Sequence, residues 1–397
     1  MINPTEGWNR MKKRVWIGFS LLEISYWCFH ASFIGFLMSY LLTKGITNTM
    51  ISIFLASYLL TSLLGSVIWG IVCDRFQTNR KVSVACFLIA GGVMYAIFFS
   101  EGNVALLALL YPILGFVALP HAVNIDSWLL LVCKNDLSVY GKIRCTPSLM
   151  YAVTSVVLGR LIAAHGYFLM PVFGTFFLTT GIGAALVLPE GEKVVQDQGK
   201  NDFGAHSIKQ VFHSASYRYL IVLLFLVGLA IAPMNHLKTA ILENVGGTVL
   251  DLGIDGFISA ITQVPFIACA DKVEKLPLRI RYLLVTGLPF IAYLLAYCAV
   301  SPVMVFAGSG LINSGIGILL PTMRSVTETS VPPAFRNLGH NIADTVFNSV
   351  TGMLSLVCSG IVIGVFGVKS MLGLCIVIIF AAVILAVVRT RNCSRIK

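Results

Sequence analysis

Four side chains near the start of the chain have the types and spacing for proton and solute chemistry: Glu23, Tyr26, Trp27 and His30. Steps of three and four residues put them on one stripe if the segment is helical. A carboxylate in an otherwise apolar run can gain and lose a proton, because its charged form is costly there. Aromatic rings beside it offer a sugar or a flat ring a surface to stack on. A second stripe holds Arg144, Ser148, Tyr151 and Ser155. Arg144 can donate paired hydrogen bonds to a carboxylate or to vicinal hydroxyls.

Further along, Asn235, His236, Lys238 and Glu243 follow Pro233, which frees a backbone carbonyl and can bend a helix. Asp255, Ser259, Thr262 and Gln263 make one polar face, and His340, Asp344, Asn348, Thr351 and Ser355 another. Asp344 with His340 one turn earlier is a candidate proton or ion-pair site.

The elements that must position these groups are membrane spans. The chain has 397 residues, 57% hydrophobic and only 11% charged, about half the charge fraction of soluble domains. Crossing the hydrocarbon layer takes about 20 apolar residues in a helix. The apolar runs do not alternate as barrel strands would. Twelve spans are expected: 15–42, 48–72, 82–100, 104–132, 143–165, 167–188, 219–242, 253–270, 281–300, 302–323, 338–364 and 368–388. The fold class is therefore all-α and polytopic.

The longest polar stretch, 189–217, divides the chain into six-helix bundles at 1–188 and 218–397. Spans three, six, nine and twelve carry no ionisable residue in their interiors and read as scaffold facing lipid.

The net charge of +11 raises the question of a nucleic-acid partner. The placement of the cations answers it. Lys12–Arg14, Arg75, Arg80, Lys81, Lys134, Lys142, the linker, Lys272, Lys275, Arg279, Arg281, Arg324, Arg336 and the tail from Arg389 fall on one side of the threaded chain, and only Lys44 and Lys369 on the other. This is the positive-inside pattern, with both termini and the linker cytoplasmic. It points to a lipid bilayer, with no nucleic acid as partner. The ten cysteines form no CxxC pair, so no structural disulfide or metal site is expected. No phosphate-cradling loop, HExxH or nucleophile elbow is present, so neither ATP-driven transport nor an enzyme is expected, and no cofactor.

After the second span comes Gly70-Ile-Val-Cys-Asp74-Arg75-Phe76-Gln-Thr-Asn-Arg80-Lys81. It resembles the G-x-x-x-D-R-x-G-R-[RK] loop of the major facilitator superfamily, with Gln77 where the family often has Gly. The resemblance implies a gating role for Asp74 and Arg75. Pro120-His121-Ala-Val-Asn124-Ile-Asp126-Ser127-Trp128, then Tyr140-Gly141-Lys142-Ile143-Arg144, Ser148 and Tyr151, looks like the segment shared by the lactose permease, nucleoside and phenylpropionate proton symporters. By that resemblance Asp126 and Arg144 would bind the solute and Tyr151 would stack on it. Asn313-Ser-Gly315-Ile-Gly317, Pro321, Glu328, Pro332, Arg336, Gly339 and Gly367 resemble helices ten and eleven of the same branch. The His and Glu that couple protons in helix ten of the lactose permease match Ile312 and Gly315 here, so coupling by that route is not supported.

The resulting expectation is a monomeric secondary transporter in the cell membrane. It imports a small polar or amphipathic solute, of sugar, nucleoside or aromatic-acid class, with protons and by alternating access. Expected solute contacts are Glu23, Trp27, His30, Asp126, Arg144, Tyr151, Asn235 and Lys238. Expected coupling residues are Glu23, Asp344 and His340. The alternatives are proton-coupled efflux and a receptor on the same fold.

Overall fold

A computed structural model describes residues 4–133, 137–190 and 209–394. The expected cation at Lys134, most of the linker and the last three residues lie outside the described residues. Every regular element among the described residues is helical. Twelve of these helices are long and apolar enough to cross a bilayer: α1 Val15–Thr43, α2 Asn48–Arg75, α3 Arg80–Phe98, α4 Val104–Val132, α5 Thr146–His165, α6 Leu169–Val187, α7 Ala215–His236, α8 Val249–Ala268, α9 Leu278–Tyr297, α10 Pro302–Ser330, α11 Leu338–Phe366 and α12 Val368–Val388. Helices satisfy every backbone group internally, which hydrocarbon demands. Large apolar side chains accordingly stay exposed, among them Leu64, Val67 and Ile71 on α2, Phe176 on α6 and Val377 on α12.

The chain falls into two compact units. The first comprises Met1–Ile46 and Ser57–Val195, the second Thr47–Ala56 and Gln196–Lys397. The first turns of α2 thus group with the second unit, whereas the division at the linker placed them in the first bundle. Their anchor is Thr49, whose Oγ1 donates to the Gly360 carbonyl of α11 at 2.8 Å.

In the first unit α1 packs along α5 and α6, and α3 along α4 and α6. Helices α2 and α4 cross so closely that a Cβ on Gly65 would lie 2.2 Å from the Phe116 carbonyl oxygen, and one on Gly115 2.1 Å from that of Tyr58. Small residues permit such crossings, where dispersion replaces the hydrophobic effect as the glue. In the second unit α10 packs against α8 and α9, and α7 against α11 and α12.

Several helix ends differ from expectation for local reasons. Helix α8 begins four residues before the expected 253, because Thr248 and Asp251 form a capping box: Asp251 Oδ2 accepts from Thr248 N at 2.7 Å. The expected span 219–242 breaks at Leu237 and resumes as a short helix, Lys238–Glu243. Pro233 lies inside α7 four residues earlier, and the carbonyl it leaves without an amide donor, Leu229, accepts instead from Ser355 Oγ at 2.6 Å. Helix α10 runs to Ser330, beyond the expected 323, so Arg324 and Glu328 are helical. Helix α9 starts at Leu278, which places Arg281 in its first turns, where it is buried. Two π turns interrupt the long helices, His30–Ile34 in α1 and Thr345–Val350 in α11. Such one-turn insertions re-aim side chains and are frequent at functional sites.

Candidate functional site

The first unit gathers most of the expected solute-binding residues around one guanidinium. Arg144, inside the continuous helix Leu137–His165 whose apolar part is α5, lies with Nε 3.3 Å from Asp126 Oδ1 of α4 and Nη1 4.0 Å from Glu23 Oε2 of α1. Its Cζ stands 4.9 Å over the Trp27 ring. The Trp27 ring meets Tyr151 edge-on, at 6.5 Å between centroids, and His30 at 5.9 Å. Three helices therefore bring together two carboxylates, one guanidinium and the Trp27 and Tyr151 rings, with His30 flanking Trp27.

Burial is uneven in this cluster. The Glu23 side chain is 3% exposed, while Asp126 and Arg144 retain 27% and 30%. Glu23 Oε1 is enclosed and has no hydrogen-bond partner. The geometry suits a group that exchanges a proton: an enclosed carboxyl faces the Arg144 cation, the Asp126 carboxylate and the Trp27 indole together. The π turn begins at His30 and, one turn on, Gly35 leaves room for the Tyr151 hydroxyl, which would lie 4.0 Å from a Cβ there.

Tyr26 does not join this face. Its hydroxyl donates to the Ala118 carbonyl at 2.9 Å, and its ring packs against His121. His121 is itself enclosed, with Nε2 2.6 Å from Ser83 Oγ and the ring edge-on to Phe87. Both are packing groups joining α1, α3 and α4. The expected four-residue stripe thus splits, with Glu23 and Trp27 toward Arg144, Tyr26 toward Ala118 and His121 of α4, and His30 beside the Trp27 and Tyr26 rings.

In the second unit Lys238 leads the short helix after the break. Its Nζ lies 2.6 Å from Asp255 Oδ2 and donates to Ser259 Oγ at 2.6 Å. Asp255 is fully enclosed and Lys238 only 16% exposed. Asn235 is half-buried at the end of α7. The tertiary partner of Lys238 was not visible from spacing, because 17 residues and a helix break separate it from Asp255.

The expected pairing of His340 with Asp344 does not form. His340 Nε2 lies 2.8 Å from Glu328 Oε1, and Arg336 Nη1 3.2 Å from Glu328 Oε2. Asp344 instead accepts from Asn348 Nδ2 at 2.8 Å. The longer α10 explains the exchange: it carries Glu328 to the start of α11, where His340 meets it.

Asp74 and Arg75 are exposed at the end of α2. The loop between α2 and α3 closes through Gln77, which takes φ +48° and donates Nε2 to the Asp74 carbonyl at 2.6 Å. A glutamine therefore holds a left-handed backbone conformation at the position where the motif often has Gly. Glu190 was not anticipated. Its carboxylate accepts from Thr78 Oγ1 at 2.7 Å and from the Asn79 amide at 2.9 Å, closing the start of α3. Arg80 Nη2 donates to the Leu188 carbonyl at 2.5 Å beside it. The only signal in the sequence was an acid directly after the Pro that ends a span.

Comparison with known proteins follows from this architecture. The model of the MFS_1 like family matches residues 19–374. The chain belongs to that family. It is thus a multi-pass membrane transporter of the major facilitator superfamily, not an enzyme. A curated relative is the maltose permease of Geobacillus stearothermophilus, 24% identical over 294 residues, which are 73% of each chain. Among solved structures, a mutant of the nucleoside transporter NupG superposes with a TM-score of 0.80 at 15% identity, covering 94% of this chain and 98% of that one. A bacterial homologue of the human lysosomal transporter Spinster superposes at 0.73 and 11% identity, covering 96% and 97%. At such identities these two establish the major facilitator fold.

Proposed function

We propose that the chain imports a neutral, hydroxylated solute of sugar or nucleoside class together with a proton. The observation that carries this reading is the Arg144 guanidinium held between Glu23 and Asp126 over the Trp27 ring. Fully ionised, the three groups sum to one negative charge, and one proton on Glu23 makes the cluster neutral. Arg144 and Asp126 keep solvent-facing surface from which to hydrogen-bond paired hydroxyls, while Trp27 and Tyr151 offer stacking faces. The cations of this cluster and of the Lys238 cluster are each already matched by a carboxylate, which favours a neutral cargo over the aromatic acids. The names of two relatives, a maltose permease and a nucleoside transporter, agree with that class.

In the mechanism we propose, solute and proton bind the same cluster, so the empty, charged form and the loaded, neutral form differ in how readily they move through a low-dielectric passage. A membrane potential supplies about 2.3 kcal/mol per charge per 100 mV to this cycle. On this reading the protein sits in the cell membrane with both termini cytoplasmic, the side to which the positive-inside rule assigns its cation-rich loops.

The test is Glu23→Gln in proteoliposomes. The substitution keeps size and hydrogen bonding but removes titration. Uphill accumulation driven by a pH gradient should vanish while solute exchange across the membrane persists. Accumulation equal to that of the unmodified protein, with the same pH dependence, overturns the assignment of Glu23, and Asp344 is then the next residue to change.

A further inference from the structure

Lys238, Asp255 and Ser259 form a closed polar cluster in the second unit that the proton cycle above does not use. Asp255 is fully enclosed, and its Oδ2 and Ser259 Oγ converge on one point, each 2.6 Å from the Lys238 nitrogen. Ser259 Oγ also lies 3.5 Å from Asp255 Oδ2, one helical turn away on α8. Asp255 Oδ1 is enclosed and has no hydrogen-bond partner, so half of the carboxylate is under-coordinated. Asp255 Oδ2 and Ser259 Oγ, converging on one point, are oxygen ligands of the kind a hard cation takes, with water able to complete its shell. Lysine is a compact point charge on a flexible stem and can stand where such an ion would.

We infer that Asp255 and Ser259 form a monovalent-cation site whose occupant in this chain is the tethered ammonium of Lys238. The break at Leu237 is what lets the lysine reach it: a continuous α7 would carry residue 238 round the helix axis, whereas the short helix Lys238–Glu243 starts afresh with Lys238 as its first residue. The second unit therefore carries its own cation and needs none from solution. Lys238, expected from the sequence as a solute contact, is then an internal counter-ion. The consequence is specific: removing the ammonium should create a requirement for Na+ where there was none.

The experiment uses the full purified chain, with melting followed in NaCl and in choline chloride at equal ionic strength and fixed pH. The unmodified protein should melt at the same temperature in both salts. Lys238→Ala should melt lower in choline and be raised by Na+ in a saturable manner, since a ligand bound only to the native state stabilises it by mass action. The double variant Lys238→Ala with Asp255→Asn should lose the Na+ response and melt above Lys238→Ala in choline, because no bare buried charge remains. Lys238→Gln, which retains a donor toward Asp255, is the second variant should the alanine protein not be recovered, and its Na+ response is read in the same way. A sodium response in the unmodified protein as large as in the variants overturns the inference, as does its absence in both lysine variants. Neither result touches Glu23, whose test is pH-driven accumulation, so the two readings fail separately.

Discussion

Replacing Arg144 by alanine tests the central cluster most directly, because the structure says which group is left stranded. Asp126 is more than a quarter exposed, so water can take over its solvation, and losing its 3.3 Å contact should cost under about 1 kcal/mol. Glu23 is different. Its side chain is 3% exposed and Arg144 is its cation. Removing one partner of a buried pair typically costs about 3–5 kcal/mol, since the remaining charge is desolvated and unmatched. The separation of 4.0 Å and the partial exposure of Arg144 place the expectation at the lower end, near 3 kcal/mol. Arg144→Ala should therefore melt about 4 °C below the unmodified protein. Glu23→Gln removes the charge that Arg144 neutralises, so the double variant should recover about 1–3 kcal/mol of the loss, a coupling expected only for groups in contact. The assay is thermal melting of the four proteins of the cycle in one detergent at one pH. Additive effects within about 0.5 kcal/mol would refute the idea that Arg144 balances Glu23.

Three further expectations follow from local geometry. Gln77→Gly should raise stability by up to about 1 kcal/mol, because a left-handed non-glycine residue costs roughly 1–2 kcal/mol and the exposed hydrogen bond to Asp74 offsets only part of it; a lower melting temperature would show that the glutamine contact dominates. Glu190→Ala should lower stability by about 1–2 kcal/mol through loss of the acceptor that closes α3, while Glu190→Gln should lose less; melting curves decide, and an unchanged alanine variant would remove Glu190 from the account. Gly115→Val should force α2 and α4 apart, because even a Cβ would stand 2.1 Å from the Tyr58 oxygen, and a loss of about 1–3 kcal/mol or failure to fold is expected; a variant with unchanged melting would mean that the helices cross less closely.

Much of this molecule could be read from periodicity alone, because hydrocarbon leaves the chain few choices. Twelve apolar runs gave twelve helices, and steps of three and four placed Glu23, Trp27 and His30 on one face. The readings that needed correction share a cause. Each depended on a contact between residues distant in the chain, or on where a helix stops. Tyr26 has the same spacing as its neighbours, yet it is taken by the Ala118 carbonyl. His340 sits one turn from Asp344, yet it turns to Glu328 because α10 runs seven residues beyond the expected end. Spacing specifies which side chains share a face, but not which opposing element supplies a partner.

The two buried acids show why this matters for function. From the sequence, Glu23 and Asp255 are alike: single carboxylates in apolar helices, each with a basic residue elsewhere in its own half. In the structure their partners differ in kind. Arg144 divides its guanidinium between two carboxylates, stays 30% exposed and stands over an aromatic ring, so it can exchange one acceptor for a solute hydroxyl without leaving a charge bare. Lys238, 16% exposed, meets a single, fully enclosed carboxylate at 2.6 Å and has a hydroxyl as its other neighbour. Breaking that contact would strand two charges at once, the costliest change available to a buried pair. The first arrangement is suited to repeated exchange during a transport cycle, and the second to staying shut. This difference in partner and exposure, rather than the acid itself, is why we propose Glu23 and not Asp255 as the group that exchanges a proton.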